Sequence, residues 1–157
     1  MRHVYTFIAT GCYSGKLPLA PGTWGTAVGV LFYWFIGWMP TLAYCATVLA
    51  FIFLAVWASE HAARIYKKKD PQVVVIDEIA GYLVTMAFHK PTLSLMIAGF
   101  VLFRLFDIIK PPPARWFERS FPGGKGIVYD DLVAGIYANI TLYGCIYLAG
   151  YLGINLI

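Results

Sequence analysis

Two short stretches, "DEIAG" at 77–81 and "DLVAG" at 131–135, carry the residue types best suited to chemistry in this chain. In each, Asp and Gly stand four apart and share one helical face. An Ala-Gly pair one turn inward lets a partner helix backbone come close. Glu78 follows Asp77 and Asp130 precedes Asp131, so the two motifs hold four carboxylates. A third stretch, "FRLFDIIKPPP" at 103–113, sets Arg104, Asp107 and Lys110 at i, i+3 and i+6 on one stripe. Five clustered carboxylates repel one another unless a cation, shared protons or arginine partners lie among them. A cage of oxygen ligands beside a phosphate-bearing substrate suits Mg²⁺, with Asp77, Glu78, Asp107, Asp130 and Asp131 as the metal set. The simpler reading makes each acid a helix cap or a charge reaching for water. Convergence of three helix ends weighs against it. For Arg104, Asp107 and Lys110, spacing alone supports an intrahelical ion-pair ladder and a phosphate-plus-metal site equally.

Weaker signals surround this set. "GKLPLAPGTWG" at 15–25 supplies Lys16 and then a Pro-Gly turn, where Gly22 and Thr23 offer N–H groups and a hydroxyl to an anion. "PGGKG" at 122–126 reads as a flexible linker. His3, His61 and His89 share no motif. The cysteines (Cys12, Cys45, Cys145) have neither metal-ligand spacing nor the even count of a disulfide framework. No Cys-x5-Arg phosphatase loop exists, because no arginine lies between Arg2 and Arg64.

The elements that must position these groups are apolar. Of 157 residues, 60% are hydrophobic and only 13% charged, where soluble domains carry about 25% charged. The expectation is one membrane-embedded domain over 1–157, an all-α bundle of about four to five membrane helices. The segments are 22–39, 41–59, about 71–88 with Asp70-Pro71 as its N-terminal cap, 92–110, and about 130–157. Residues 1–21 read as a loop or re-entrant lead-in, since Pro18 and Pro21 break a helix. Residues 114–119 read as a short amphipathic piece, with Trp116 and Phe117 at the membrane interface. With the N-terminus inside, every Lys and Arg except Lys90 falls on the inner side, together with all eight acidic residues. Asp77 and Glu78 then stand about two turns into the third helix, near its inner end.

"LPLAPGTWG", "IDEIAG", "FRLFDIIKP" and "GIVYDDLVAG", in that order, closely resemble the phosphatidylglycerophosphatase A family from about residue 14 to 140. The resemblance implies a bacterial inner (cytoplasmic) membrane enzyme, multi-pass, with its active site facing the cytoplasm. It implies Mg²⁺-dependent conversion of phosphatidylglycerophosphate in the lipid bilayer to phosphatidylglycerol and inorganic phosphate. The family's acidic positions fall on Asp77, Glu78, Asp107, Asp130 and Asp131, and its basic ones on Arg104 and Lys110. No serine, cysteine or histidine stands as an obvious nucleophile, so attack by a metal-activated water is favoured. Glu78 is the expected general base, because it adjoins Asp77 yet points about 100° away on the helix. Asp77 and Asp131 complete the catalytic set, with Arg104, Lys110, Lys16 and Thr23 on the phosphate. A covalent aspartyl-phosphate is the alternative route. A different class of function, a cation-coupled transporter or channel subunit, would also use clustered carboxylates. It would need them across the span, and these gather at one face.

Overall fold

The computed structural model describes residues 2–114, 116, 120, 121 and 123–153. Among them there are helices and no strand. The helices are α1 (Arg2–Ala9), α2 (Pro21–Ile36), α3 (Thr41–Tyr66), α4 (Ile76–Thr85), α5 (Leu93–Ile109) and α6 (Gly124–Tyr151), with a 3-10 turn at Ser14–Lys16. The lead-in expected over 1–21 thus contains a helix, α1, packed on α3. Phe117 and Pro122 lie outside the described residues.

Two helices, α3 with 26 residues and α6 with 28, are long and apolar enough to cross a membrane. At 1.5 Å per residue, α2 and α5 reach about 24 and 26 Å, and α4 only about 15 Å. The expected four to five spanning helices therefore resolve into two of full length and three shorter ones.

The third helix departs furthest from expectation. Asp70-Pro71 does not start it. Three consecutive valines, poor helix formers because of their branched Cβ, run non-helical to Val75 before α4 begins at Ile76. This segment is tied down instead: the Val75 N–H donates to the Ala9 carbonyl at 2.9 Å, and Val74 and Val75 are buried. Asp77 and Glu78 consequently occupy the first turn of α4 rather than its second. At the start of α6 the error is reversed. Two of the glycines read as a linker, Gly124 and Gly126, are helical and buried, with Gly123 as the cap before them. A Cβ on Gly124 would stand 2.5 Å from the backbone nitrogen of Glu60 on α3. Asp130 and Asp131 lie two turns inside the helix, not at its start.

Short, deeply packed α4 is the axis of the bundle and touches α2, α3, α5 and α6. Ile79, Tyr82, Leu83 and Met86 meet Tyr33, Phe103 and Leu142 in the larger core. Ala80 and Ile76 meet the small-residue stripe Ala55, Ala58 and Ala62 of α3 in the second. A helix that stops inside a bundle leaves carbonyls that no water can reach. Side chains of other helices take them: Tyr44 Oη–H donates to Leu83 O at 2.6 Å, and the Asn139 amide donates to Thr85 O and Ala87 O at 2.8 and 2.9 Å. Tyr33 does the same for His89 O at 2.7 Å.

The packing between α4 and α6 is set by glycine. A Cβ on Gly81 would stand 2.7 Å from the Asp131 carbonyl oxygen and 2.5 Å from the Phe103 ring, and one on Gly135 would overlap the Gly81 carbonyl. The two Asp-led repeats thus face each other across a backbone contact. Gly81→Leu or Gly135→Leu is expected to cost at least the ~1–3 kcal/mol typical of overpacking, read as a lowered thermal midpoint in detergent. Leucine variants of native stability would refute this packing.

Candidate active site

The N-terminal ends of α2, α4 and α6 and the C-terminal end of α5 meet at one end of the bundle. Between them lies a cavity of about 300 Å³ lined by Asp77, Glu78, Arg104, Asp107, Lys110, Asp130 and Asp131, with Gly22, Asp70 and Gln72 at its edge. Six carboxylates face two cations.

Each element places its groups for a local reason. α4 starts so that both acids fall in its first turn, where the positive end of the helix dipole favours them. α5 ends at Lys110, whose φ of 47° turns the chain into Pro111. That left-handed residue, followed by three prolines, aims the lysine back toward the cavity rather than along the helix. α6 delivers Asp130 and Asp131, 5% and 4% exposed, from its second turn. α2 arrives after two left-handed residues, Leu19 and Ala20, with φ of 63° and 50°. Such strain on non-glycine residues is concentrated where a structure over-determines the backbone, commonly at functional sites. It swings Gly22 against α4 and α5: a Cβ there would collide with the Glu78 carboxylate and stand 2.8 Å from Arg104 Nη1.

The acids divide into two sets. Asp107 accepts a hydrogen bond from Arg104 within α5, so the ion-pair ladder read from the spacing exists and also faces the cavity. Asp130 accepts one from Lys110 across the α5–α6 gap. Asp77, Glu78 and Asp131 form the other set, with an oxygen from each lying within 4.8 Å of the others. The 100° turn between Asp77 and Glu78 therefore does not separate their carboxylates. Asp77 Oδ1 and Glu78 Oε2 are buried and meet no hydrogen-bond donor among the described residues, and Arg104 Nε is likewise unpartnered. Buried polar atoms are otherwise almost always satisfied. Two orphaned carboxylate oxygens beside a third carboxylate, Asp131, fit a hard divalent cation such as Mg²⁺.

Two of the expected phosphate ligands are not brought here. Lys16 lies outside the cavity lining, with its ammonium over the Tyr13 ring at 4.5 Å from the centroid. Thr23 also lies off the lining, although its neighbour Gly22 is on it. Sequence reasoning passed over Asp70 and Gln72, because Asp70-Pro71 has the form of a helix start. It also passed over Glu60, whose carboxylate accepts the Gly124 N–H at 2.7 Å and caps α6. The Glu60–Arg64 spacing, paired here at 3.0 Å, was the available sign that α3 continues past residue 59. His89 sits at the opposite end of the bundle, where burial pushes its imidazole below the usual range.

An uncompensated trio of carboxylates should make the site destabilising without metal and stabilising with it. Mg²⁺ is expected to raise the thermal midpoint of the purified protein, by the equivalent of about 2.7 kcal/mol at a hundred times the dissociation constant. Asp131→Asn should unfold later than the wild type in EDTA, through relieved repulsion, and lose most of the Mg²⁺ shift. An unchanged midpoint on adding Mg²⁺ to the wild type would argue against a metal at this trio.

The phosphatidylglycerophosphatase A family model matches residues 7–146, which include every residue of the cavity. Phosphatidylglycerophosphatase A of Escherichia coli (strain K12) is 35% identical over 144 residues, covering 91% of this chain and 84% of that one. The protein of the same name from Haemophilus influenzae is 36% identical over 146 residues, covering 89% and 87%. A Bacteroides thetaiotaomicron protein carrying the provisional name phosphatidylinositol-3-phosphatase is 35% identical over 143 residues, covering 86% and 89%. No solved structure matches the chain. Order of motifs, extent of the match and level of identity agree that this chain belongs to the phosphatidylglycerophosphatase A family.

Proposed function

We propose that the protein hydrolyses the terminal phosphomonoester of phosphatidylglycerophosphate, giving phosphatidylglycerol and inorganic phosphate, with Mg²⁺ as cofactor. The observation that carries the reading is the cavity: six carboxylates, Arg104 and Lys110 meet at one end of an otherwise apolar bundle. A relative of similar identity named for a phosphoinositide phosphatase fits the same reaction type on another headgroup. Nothing in the family relation favours a transporter.

Mg²⁺ held by Asp77, Glu78 and Asp131 would polarise the phosphoryl oxygens and lower the pKa of a bound water. Asp107 and Asp130 border this set and complete the proposed metal environment. Their partners Arg104 and Lys110 orient toward the cavity and neutralise the transferring phosphoryl group's charge. Glu78 is the general base: it is the member of the acidic trio that also lies against Gly22, where Arg104 approaches. It takes a proton from the attacking water as a new P–O bond forms. The bond from phosphorus to the terminal glycerol oxygen breaks, and that oxygen leaves as the headgroup hydroxyl after taking a proton from water. An aspartyl-phosphate route would use Asp77 or Asp131 as nucleophile instead.

The proposed setting is a bacterial cytoplasmic membrane, crossed several times, with the cavity at the cytoplasmic face. The charge pattern supports it. Lys67, Lys68, Lys69, Arg64, Arg104 and Lys110 belong to the cavity end of the helices, and Lys90 is at the other.

Purified protein should release phosphate from phosphatidylglycerophosphate with Mg²⁺ and lose that activity in EDTA. Asp77→Asn and Asp131→Asn should lower both Mg²⁺ affinity and turnover. Glu78→Gln should cut kcat by about 10²-fold or more, within the usual range for a general base, while the Mg²⁺ thermal shift falls less. Full activity without metal would refute the cofactor, and equal loss of Mg²⁺ binding in Glu78→Gln would make Glu78 a ligand only. Cysteine labelling of intact cells tests the orientation. Impermeant reagent should reach positions 89 or 90, and reach 67–69 only after permeabilisation. The reverse pattern would put the chemistry on the other side.

A further inference from the structure

A groove of about 680 Å³ runs between α3 and the start of α6, and it shares no residue with the acidic cavity. Its walls change character along their length. At one end are Ile52, Phe53 and Val56, with Phe53 69% exposed. In the middle stand the rings of Trp57, Phe121 and Tyr129. At the other end are Arg64 and Lys125, with Glu60 and His61 beside them. On α3, Phe53, Trp57, Glu60 and Arg64 fall at i, i+4, i+7 and i+11, one helical face. From Phe53 to Arg64 is about 16 Å along the axis, close to half of a hydrocarbon core about 30 Å thick.

Contacts within the protein hold the groove in shape. α6 rests on the α3 backbone at Gly124, where a Cβ would overlap the Val56 carbonyl. Phe121 and Tyr129 pack edge to face, 5.5 Å between centroids. Tyr5 of α1 backs the other wall, with its ring stacked on His61 at 4.5 Å and tilted against Trp57 at 5.1 Å. The one acid of the groove is already engaged: Glu60 accepts the Gly124 N–H and pairs with Arg64. Lys125 is exposed and forms no ion pair among the described residues, and the Arg64 side chain is 73% exposed. Two cations against one engaged carboxylate leave this end open to an anion.

The order of the walls is that of a phospholipid standing in a leaflet. Acyl chains need an apolar wall, Trp and Tyr settle at headgroup level, and Lys or Arg at the membrane surface draw anionic headgroups. The cationic end is the cavity end of the bundle, where Lys67, Lys68 and Lys69 follow α3. We infer that this groove binds one anionic glycerophospholipid from the leaflet at the cavity end. Its phosphate lies between Arg64 and Lys125, its glycerol level with Trp57 and Tyr129, and one acyl chain along Ile52, Phe53 and Val56. The lipid is held and not hydrolysed, since the carboxylates of the acidic cavity do not line the groove. The inference uses the membrane setting and is independent of the phosphatase reaction.

The probe is dioleoyl phosphatidylserine, an anionic lipid with no phosphomonoester, set against zwitterionic dioleoyl phosphatidylcholine. Native mass spectrometry of the purified protein reads the lipid retained from detergent. The wild type should hold one serine lipid per chain about tenfold more tightly than the choline lipid. Lys125→Gln and Arg64→Gln should each weaken that retention about fivefold, the usual contribution of one cation near an anionic surface. Lys68→Gln, at the same membrane end but outside the groove, should change nothing. Val56→Trp, which fills the chain wall, should weaken both lipids. Glycerophosphoserine, the headgroup without chains, should not compete; competition by it would assign the cations to a free anion and overturn the lipid. Phosphatidylserine with a diazirine at the end of its acyl chain should label the stretch 52–56. Equal retention of the two lipids, a preference that survives Lys125→Gln combined with Arg64→Gln, or a label placed elsewhere would overturn the site. A two-chain species that excludes lipid would assign the face to a second copy instead. No turnover is read, so these outcomes stand apart from whether the protein hydrolyses phosphatidylglycerophosphate.

Discussion

The backbone contact between Gly81 of α4 and Gly135 of α6 is the constraint on which the site depends. Any side chain at either position would separate the two helices, because a Cβ on Gly135 already overlaps the Gly81 carbonyl. Each glycine lies one turn from its aspartate, so the closeness of the backbones becomes the closeness of Asp77 and Asp131. Glu78 follows from chain connectivity. The rest of the bundle fixes this crossing in place. Phe103 of α5 fills the space beside Gly81, and the alanine stripe of α3 lets that helix lie close on the other side.

Bringing carboxylates together this way has an electrostatic cost, and the structure offsets it unevenly. Asp107 and Asp130 receive Arg104 and Lys110, one cation each. Asp77 and Glu78 stand at the positive end of the α4 dipole, and each keeps an oxygen that meets no donor among the described residues. Half-compensated charge in a buried site is unfavourable for a structural ion pair and suitable for a site that must bind a cation. The same asymmetry separates roles. The paired acids hold two cations pointed at the place a phosphate would occupy, and the unpaired acids keep their lone pairs available.

Depth is handled by making α4 short. A full-length helix beginning at Asp70 would place Asp77 and Glu78 two turns further along the bundle axis. Instead the chain turns at Gln72 and Val73, runs as irregular backbone to Val75, and becomes helical only at Ile76. Irregular backbone is tolerated at such depth where protein surrounds it. Here α1 and the left-handed turns of residues 11–20 surround it, with the Ala9 carbonyl accepting the Val75 N–H. The N-terminal segment is therefore part of the site's support, and it delivers Gly22 to the cavity rim as well.

Composition and local pattern by themselves determined the all-helical class, the end of α5 before its three prolines, the polarity of the charge distribution and the pairing of the two Asp-x-x-Ala-Gly repeats. Those are consequences of hydrophobic length, backbone-restricted proline and small-residue spacing, all readable within a few residues. The five acids and two cations that line the cavity were legible for the same reason: charge is rare in this chain, so its position carries information. Tertiary structure alone decided where α4 and α6 begin. A Pro-led start is locally as good as Ile76, and a glycine run is locally as good a linker as a helix. Contacts distant in sequence settle both, Val75 with Ala9 in one case and Gly124 with Glu60 in the other. Tertiary structure also decided which acids are paired and which are orphaned, and it left Lys16 outside the cavity, because hydrogen-bond partners belong to the packed helices and not to the residue's own neighbourhood.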